Sequence, residues 1–304
     1  MDLQEAFKGR FGIGLAYSLT RLIPASAGEK LTHWIGSVLA RQKSQEMVKA
    51  VRANQWVVSG CTSTREELDQ RIVETFANNA LSIFRFYKYF RDPEAIRKLV
   101  IYPERLFEII RTCREEKCGL IIAGVHTGNF DLVLHSTTLQ AKDEQIQALA
   151  ISAPEPGKGY KWQNRLRERR GLEIIPASMD AIKLAAQRLE QGGVVVTGLD
   201  RPIPDGKYRP LFFNIPASLP VLHVPLALRT GARIVVVGSE RHPDGRYQIL
   251  VSDSFRLQTY PLRRDEMLLN AQAVLQIAED FIRKDPSQWT MTYPVWPEML
   301  AQVP

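Results

Sequence analysis

The sequence predicts an α/β fold, in which a mixed, largely parallel sheet is flanked by helices and follows an N-terminal helical region. Three observations predict it. Apolar residues recur at helical spacing up to about residue 92. After Pro103, apolar runs of strand length alternate with helical patterns, which is typical of repeated βα units. Asp244-Gly245, between two apolar runs, indicates a hairpin and therefore an antiparallel edge of the sheet.

The N-terminal region is predicted to be helical throughout. Residues 11–23 have the spacing of an amphipathic helix; a helix at a membrane interface and one packed on the core share that spacing, so both stay open. Beyond a proline-containing break, Thr64 and Glu67 form a capping-box pattern that begins a long helix. We therefore expect a helical region of residues 1–100, followed by a core of residues 101–304 that forms one structural unit.

The core elements follow from apolar runs and the residues that interrupt them. Strands are predicted at residues 120–125, 146–151, 172–175, 194–196, 234–237 and 247–251. Helices are predicted to begin near residues 178 and 219, and a final helix carries apolar residues from Leu268 to Ile282. A basic segment, residues 158–170, interrupts this alternation and is by default the solvated face of a helix. His223, inside an apolar run, is predicted to be a buried core histidine.

Composition limits the possible partners and the compartment. The 304 residues carry a formal net charge of +7, which favours an anionic partner such as phospholipid headgroups, a phosphorylated cofactor, an acidic carrier protein or nucleic acid. No recognisable nucleic-acid-binding module accompanies the charge, so we do not expect nucleic acid. Three cysteines without CxxC spacing predict neither a disulfide framework nor a zinc site, which fits a reducing cytoplasm. The sequence contains no run of about 18 uncharged apolar residues, so it predicts no membrane-spanning helix.

The strongest candidate for chemistry is the turn after the apolar run 119–125. His126 would lie at the carboxyl end of a strand and beside a helix N-terminus, where open α/β sheets bind ligands, and Asp131 follows it by five residues. A histidine accepts protons near neutral pH, and a carboxylate on its second nitrogen fixes the tautomer. Because no serine or cysteine nucleophile accompanies it, we expect direct transfer of an acyl group from a thioester to a substrate hydroxyl. Backbone N–H groups of residues 127–129 would stabilise the oxyanion.

The segment from His126 to Asp131 matches the H-x4-D motif of the glycerolipid acyltransferase superfamily. Further segments resemble its bacterial lipid A biosynthesis acyltransferase branch, which includes the phosphatidylinositol mannoside acyltransferases. These segments occur in the family's order and are Leu199-Asp-Arg201, residues 211–213, Pro216-Ala217, residues 226–232, and Gln288-Trp289 through Trp296. The resemblance covers roughly residues 30–300.

This resemblance implies roles for individual residues. His126 would be the general base, Asp131 its orienting partner and Asp200 a second carboxylate near the site; from the residues alone, Asp200 capping an element or pairing with Arg201 is equally open. The residues that would contact substrate are those of the histidine turn and nearby basic side chains, namely Thr127, Gly128, Asn129, Arg165, Arg169, Arg170 and Arg201. An apolar groove should lead from the site, because a long acyl chain must be removed from water.

The resemblance implies a peripheral enzyme on the cytoplasmic face of the cell membrane. It would move a fatty acyl group from acyl-CoA or acyl carrier protein to a hydroxyl of a membrane glycolipid, without a metal or other cofactor and without a covalent acyl-enzyme. Residues 1–100 would contact an anionic membrane surface, because the spanning segment expected of lipid A enzymes is missing from the sequence.

Two alternatives remain open from the sequence. His126, Asp131, His135 and Asp200 together could form the metal cluster of a metal-dependent hydrolase. The other alternative is a non-catalytic lipid-binding protein, for which His126 would be dispensable.

Overall fold

A sheet forms the centre of the protein in the computed structural model, which describes residues 20, 22–152, 161, 164, 165, 167, 168 and 172–304. The described strands are β1 (Val100–Ile101), β2 (Leu120–Gly124), β3 (Ala148–Ser152), β4 (Glu173–Pro176), β5 (Val194–Gly198), β6 (Leu211–Phe212), β7 (Ile215–Pro216), β8 (Arg233–Arg241) and β9 (Tyr247–Val251). Their order in the main sheet is β1-β9-β8-β2-β5-β3-β4, and β6 and β7 form a separate two-stranded ribbon.

The strand pairing confirms the predicted mixed, largely parallel sheet. Neighbouring strands are parallel except β8 and β9, which pair antiparallel as the Asp244-Gly245 turn predicts. The expectation that this hairpin forms the sheet edge is wrong, because β1 pairs in parallel with β9 and lies outside it. Two residues are too few to give an alternation pattern, so the sequence did not indicate β1.

Helices cover the sheet and form the N-terminal region. The described helices are α1 (Ala25–Ala40), α2 (Glu46–Val58), α3 (Arg65–Tyr89), α4 (Pro93–Leu99), α5 (Glu104–Glu115), α6 (Phe130–Asp143), α7 (Met179–Glu190), α8 (His223–Thr230) and α9 (Arg263–Lys284). The capping box of Thr64 and Glu67 is confirmed at the start of α3. Helix α8 begins at His223 rather than at residue 219, because Pro220 disfavours helical backbone at the residue before it.

Different helices pack on the two faces of the sheet. Successive strand residues point to opposite faces, so Ile121 and Ala123 of β2 pack with buried residues of α7, α8 and α9, while Leu120 packs with buried residues of α5. His223, on α8, is buried as predicted. The division into residues 1–100 and 101–304 stays a prediction, and β1 lies across it.

Some sequence-based expectations fall on residues that the structure does not describe. Most of residues 11–23 lie outside the described residues, and so do Arg169 and Arg170. Within the described part of the chain, no helix combines the length and the hydrophobicity needed to cross a bilayer.

Candidate functional site

His126 lies where β2 and its parallel neighbour β5 end side by side. Gly124, the last residue of β2, is in register with Gly198 of β5 on one side and with Val237 of β8 on the other. A Cβ at Gly198 would lie 3.4 Å from Cε1 of His126, so the neighbouring strand passes directly beside the imidazole. The prediction that His126 follows a strand at the carboxyl edge of the sheet is confirmed.

Asp200 is the carboxylate that contacts the imidazole. Its Oδ1 lies 2.6 Å from Nδ1 of His126, and its Oδ2 accepts hydrogen bonds from the backbone N–H of His126 at 2.9 Å and from Nε1–H of Trp289 at 2.8 Å. The Asp200 side chain is fully buried, whereas 23% of the His126 side chain is exposed. These bonds fix Asp200 and leave the other edge of the imidazole ring accessible.

The buried pair shifts the pKa of both partners. Burial of Asp200 favours its neutral form, but the charge and hydrogen bonds of His126, together with the bond from Trp289, outweigh burial and lower the pKa of Asp200. Burial likewise opposes protonation of His126, but the Asp200 carboxylate outweighs it and raises the pKa of His126 above 6.5. Asp200 therefore stays ionised and stabilises a protonated imidazole.

Asp131 does not occupy the position predicted for it. Nδ1 of His126 is bound by Asp200, and the Asp131 carboxylate instead forms an ion pair with Arg167, which also donates to Oδ1 of Asn164 at 2.9 Å. The cause is local: Phe130, the first residue of α6, packs its ring against the imidazole, with centroids 4.5 Å apart, and Asp131 is the next residue along the helix. Asp131 therefore contributes to the surroundings of His126 but does not orient Nδ1.

The histidine turn is held by hydrogen bonds that use the groups expected to meet an oxyanion. The N–H of Thr127 donates to the carbonyl of Val125 at 2.9 Å, and that of Gly128 donates to the carbonyl of Gln288 at 3.0 Å. Asn129 caps α6 through its side chain and is buried, as is Thr127. The expectation that the N–H groups of Thr127 and Gly128 face an oxyanion is therefore wrong, since backbone partners already bind both.

Gly128 is required by this turn. Its φ is +59°, and a Cβ there would lie 2.7 Å from the carbonyl oxygen of Ser239. Ser239 in turn donates from Oγ to the carbonyl of Thr127 at 2.7 Å. The turn is thus fastened to β8, and any side chain at Gly128 would push it away.

The described arginines Arg165, Arg167 and Arg201 have different surroundings. Arg165 is exposed, and Arg167, which sequence reasoning did not single out, is buried beside Asp131. The guanidinium of Arg201 stacks on the ring of Tyr293, 4.5 Å from its centroid, and disfavours the charged form of His126. Arg167 belongs to the predicted basic segment, but charge spacing does not distinguish a buried arginine from solvated ones.

Trp289, which donates to Asp200, was not predicted as a site residue. It belongs to a segment that resembles the family, but no local pattern links it to Asp200.

His126 lines an apolar cavity of about 420 Å³. Its lining includes Ile122, Val196 and Ala150 of the sheet and apolar residues of α5 and α6. The cavity extends as far as Lys142 near the end of α6, and Asn164 and Arg167 also line it. The predicted apolar groove leading from the site is therefore present.

The four residues of the proposed metal cluster do not converge. The His135 ring stacks on Phe90, with centroids 4.7 Å apart, and its Nε2 contacts the Phe90 carbonyl at 3.2 Å. Asp131 is held by Arg167. Across the described ranges, no group of three or more histidine, cysteine, aspartate or glutamate side chains is arranged to hold a metal ion. The hydrolase interpretation thus loses the juxtaposition on which it rested.

Comparison with known proteins gives one match that covers nearly the whole chain. The model of the family described as bacterial lipid A biosynthesis acyltransferase matches residues 7–297. A search among curated proteins gave no match.

Proposed function

The chain belongs to the bacterial lipid A biosynthesis acyltransferase family, and we propose that it moves a fatty acyl group from acyl-CoA or acyl carrier protein to a hydroxyl of a membrane glycolipid. The observation that carries this proposal is that His126, paired with Asp200, lines an apolar cavity. The pair supplies a base for the acceptor hydroxyl, and the cavity supplies an apolar space for the acyl chain.

In the proposed reaction, His126 is a general base. Because Nδ1–H donates to Asp200, Nε2 carries the lone pair that takes the proton from the acceptor hydroxyl. The hydroxyl oxygen attacks the thioester carbon, the C–S bond breaks, and the departing sulfur receives the proton from Nε2. Asp200 stabilises the imidazolium formed between these steps, and no acyl-enzyme is formed.

The cavity is proposed to hold the acyl chain. Its volume lies within the range of about 300–1,000 Å³ that is typical of ligand pockets. Each methylene removed from water contributes about 0.8 kcal/mol, so an apolar wall from His126 to Lys142 favours long chains over short ones. Chain binding in this space would bring the thioester carbonyl to the imidazole.

Basic residues around the site are proposed to contact the anionic parts of the substrates. Arg201 interacts electrostatically with His126, and its stacking on Tyr293 holds the guanidinium in place. Arg165, Arg169 and Arg170 stay proposed contacts to donor phosphates or to an anionic acceptor. Asp131 is proposed to act through Arg167, whose charge it keeps in the cavity wall.

The enzyme is proposed to work as a peripheral protein at the cytoplasmic face of the cell membrane. A long-chain acceptor lipid resides in a bilayer, so the site must open towards one. Residues 1–100 are proposed to make the contact, and neither a metal nor another cofactor is needed for the reaction as written.

A transfer assay tests the proposal. Radiolabelled acyl-CoA and acyl carrier protein are each incubated with extracted membrane lipids and with wild type or His126→Ala, with and without a chelator. We expect label in a lipid with wild type, none with His126→Ala, and no effect of the chelator.

Each contrary outcome points to a specific error. Transfer that survives His126→Ala would contradict the base mechanism. Loss of wild-type activity with the chelator would favour the metal-dependent alternative. Lipid binding without transfer by either protein would favour a non-catalytic lipid-binding protein.

A further inference from the structure

Helix α1 packs on α3 through its smallest residues. Gly28, Thr32 and Gly36 are its buried positions, spaced by four residues along one side. A Cβ at Gly36 would lie 2.7 Å from the backbone nitrogen of Ala77 on α3, so the two backbones are in close contact. This contact fixes the rotation of α1 about its axis and determines which side chains face outwards.

The outward side of α1 exposes large apolar side chains, although contact with solvent favours polar ones. Trp34 is 63% exposed and Leu31 is 39% exposed. On α3, Ile83 is 49% exposed, and it directly precedes Phe84, whose ring fills the space beside Gly28. We refer to Lys30, Leu31, Trp34 and Ile83 together as the α1 face.

The α1 face adjoins the histidine turn. Ser82, the neighbour of Ile83, donates from Oγ to the carbonyl of Gly128 at 3.1 Å. Its own carbonyl accepts from Nδ2 of Asn129, also at 3.1 Å. The part of α3 that carries Ile83 is therefore bonded to the turn that positions His126.

The charge on this face is basic. Lys30 is exposed and lies four residues before Trp34, on the same side of α1. The one acidic residue in the sequence of α1 is Glu29, which forms an ion pair with Arg85. The α1 face therefore combines apolar side chains with the positive charge of Lys30.

We propose that the α1 face docks on an anionic lipid bilayer and brings the histidine turn to the membrane surface; this inference rests on the proposed function. Tryptophan is favoured at the boundary of headgroups and acyl chains, and leucine and isoleucine bury there. Lysine reaches past such side chains to lipid phosphates. Docking by this face presents the site to an acceptor that resides in the bilayer.

A second copy of the chain fits the same surface less well. In a twofold dimer the same patch faces itself. The basic charge of this face would then be brought to both sides of the interface, and the sequence of α1 contains no acidic residue besides the paired Glu29 to compensate it. A bilayer that contains anionic lipids supplies the missing negative charge.

Vesicle binding tests this inference. Sedimentation with phosphatidylcholine vesicles, with and without phosphatidylglycerol, is measured for wild type, Leu31→Glu and Trp34→Glu. Leu262→Glu is the matched control, because Leu262 is as exposed as Trp34 but precedes α9. We expect wild type and Leu262→Glu to bind the anionic vesicles, and the two α1 variants to bind at least tenfold more weakly. The inference would be overturned if Trp34→Glu bound anionic vesicles as tightly as wild type, or if wild type bound equally well with and without phosphatidylglycerol. It would also be overturned if wild type formed a dimer that Trp34→Glu dissociates.

Acyl transfer separates this inference from the proposed function. With acceptor in detergent micelles, Trp34→Glu should match wild type, whereas with acceptor in anionic vesicles it should be at least tenfold slower. Equal rates in vesicles would overturn docking and leave the proposed function intact. Absence of transfer by wild type in both preparations would reject the proposed function, and vesicle sedimentation would then decide docking alone.

Discussion

Oδ1 of Asp200 lies 2.6 Å from Nδ1 of His126, although 74 residues separate the two in sequence. Asp200 follows β5 and His126 follows β2, and the two strands pair in parallel with Gly198 beside Gly124. Since parallel strands end at the same edge of a sheet, the pairing brings base and carboxylate together. Trp289, from the C-terminal part of the chain, donates a hydrogen bond to the other oxygen of Asp200.

The rate of transfer should depend on the protonation of His126. Its pKa is raised above 6.5, so the neutral imidazole, which accepts the proton, is lost as pH falls through that raised value. We expect kcat/KM to decline on the acid side with an inflection above pH 6.5, and the inflection to move to lower pH in Asp200→Asn. A wild-type inflection at or below pH 6.5 would contradict the assigned electrostatics.

The effects of substituting Asp131 and Arg167 should be coupled rather than additive. Asp131→Asn, Arg167→Gln and the double variant are compared by thermal unfolding and by transfer rate. We expect the double variant to be no worse than the more damaged single variant, with a coupling free energy of roughly 1–3 kcal/mol, because each single change leaves one partner without its ion pair. The exposed pair of Arg105 and Asp253 is the control and should couple by less than about 1 kcal/mol. Additive effects at Asp131 and Arg167 would contradict this account.

The length of the cavity should limit the acyl chain. Ala148 lines the cavity and pairs with Val194, which lies four residues, or about 13 Å, before Gly198 beside His126. Ala148→Phe should leave kcat/KM for short-chain donors near wild type and lower it for long-chain donors by roughly fourfold per excluded methylene. Ala148→Val, which adds less volume, should shift the limit less. An equal loss at all chain lengths would argue against the cavity as the chain site.

His223 should make folding sensitive to acid. The side chain is buried, neither of its ring nitrogens has a partner among the described residues, and burial lowers its pKa to about 4. Between about pH 6.5 and pH 4 the unfolded chain binds a proton that the folded chain does not, so the free energy of unfolding should fall by up to about 3 kcal/mol across this window. Urea unfolding of His223→Leu should lack this contribution. An unchanged pH dependence in the variant would contradict it.

The histidine turn was predictable because its signals are local. An apolar run, a glycine-containing turn and the capping residue Asn129 lie within twelve residues, and the structure has β2, the turn and α6 in that order. The hairpin at Asp244-Gly245 and the capping box at Thr64 were predictable for the same reason.

The contacts across the site were not predictable from spacing. The five-residue interval suggested Asp131 as the partner of His126, but Phe130 occupies the place against the ring and Asp131 pairs with Arg167. Which carboxylate reaches Nδ1 depends on the strand order, since β5 lies next to β2 while β3 and β4 lie beyond β5. The bond from Trp289 depends on a fold-back over 89 residues, and no periodicity indicates it.

The role assigned to Asp200, orienting His126 as the base, is best tested by measuring kcat for acyl transfer by Asp200→Asn. An amide keeps the volume of the carboxylate but favours the wrong imidazole tautomer and leaves the imidazolium unstabilised. In a variant whose circular dichroism and thermal unfolding stay near wild type, we expect kcat to fall by roughly 10³- to 10⁴-fold while KM changes little. A folded Asp200→Asn variant that keeps kcat within tenfold of wild type would contradict this role of Asp200.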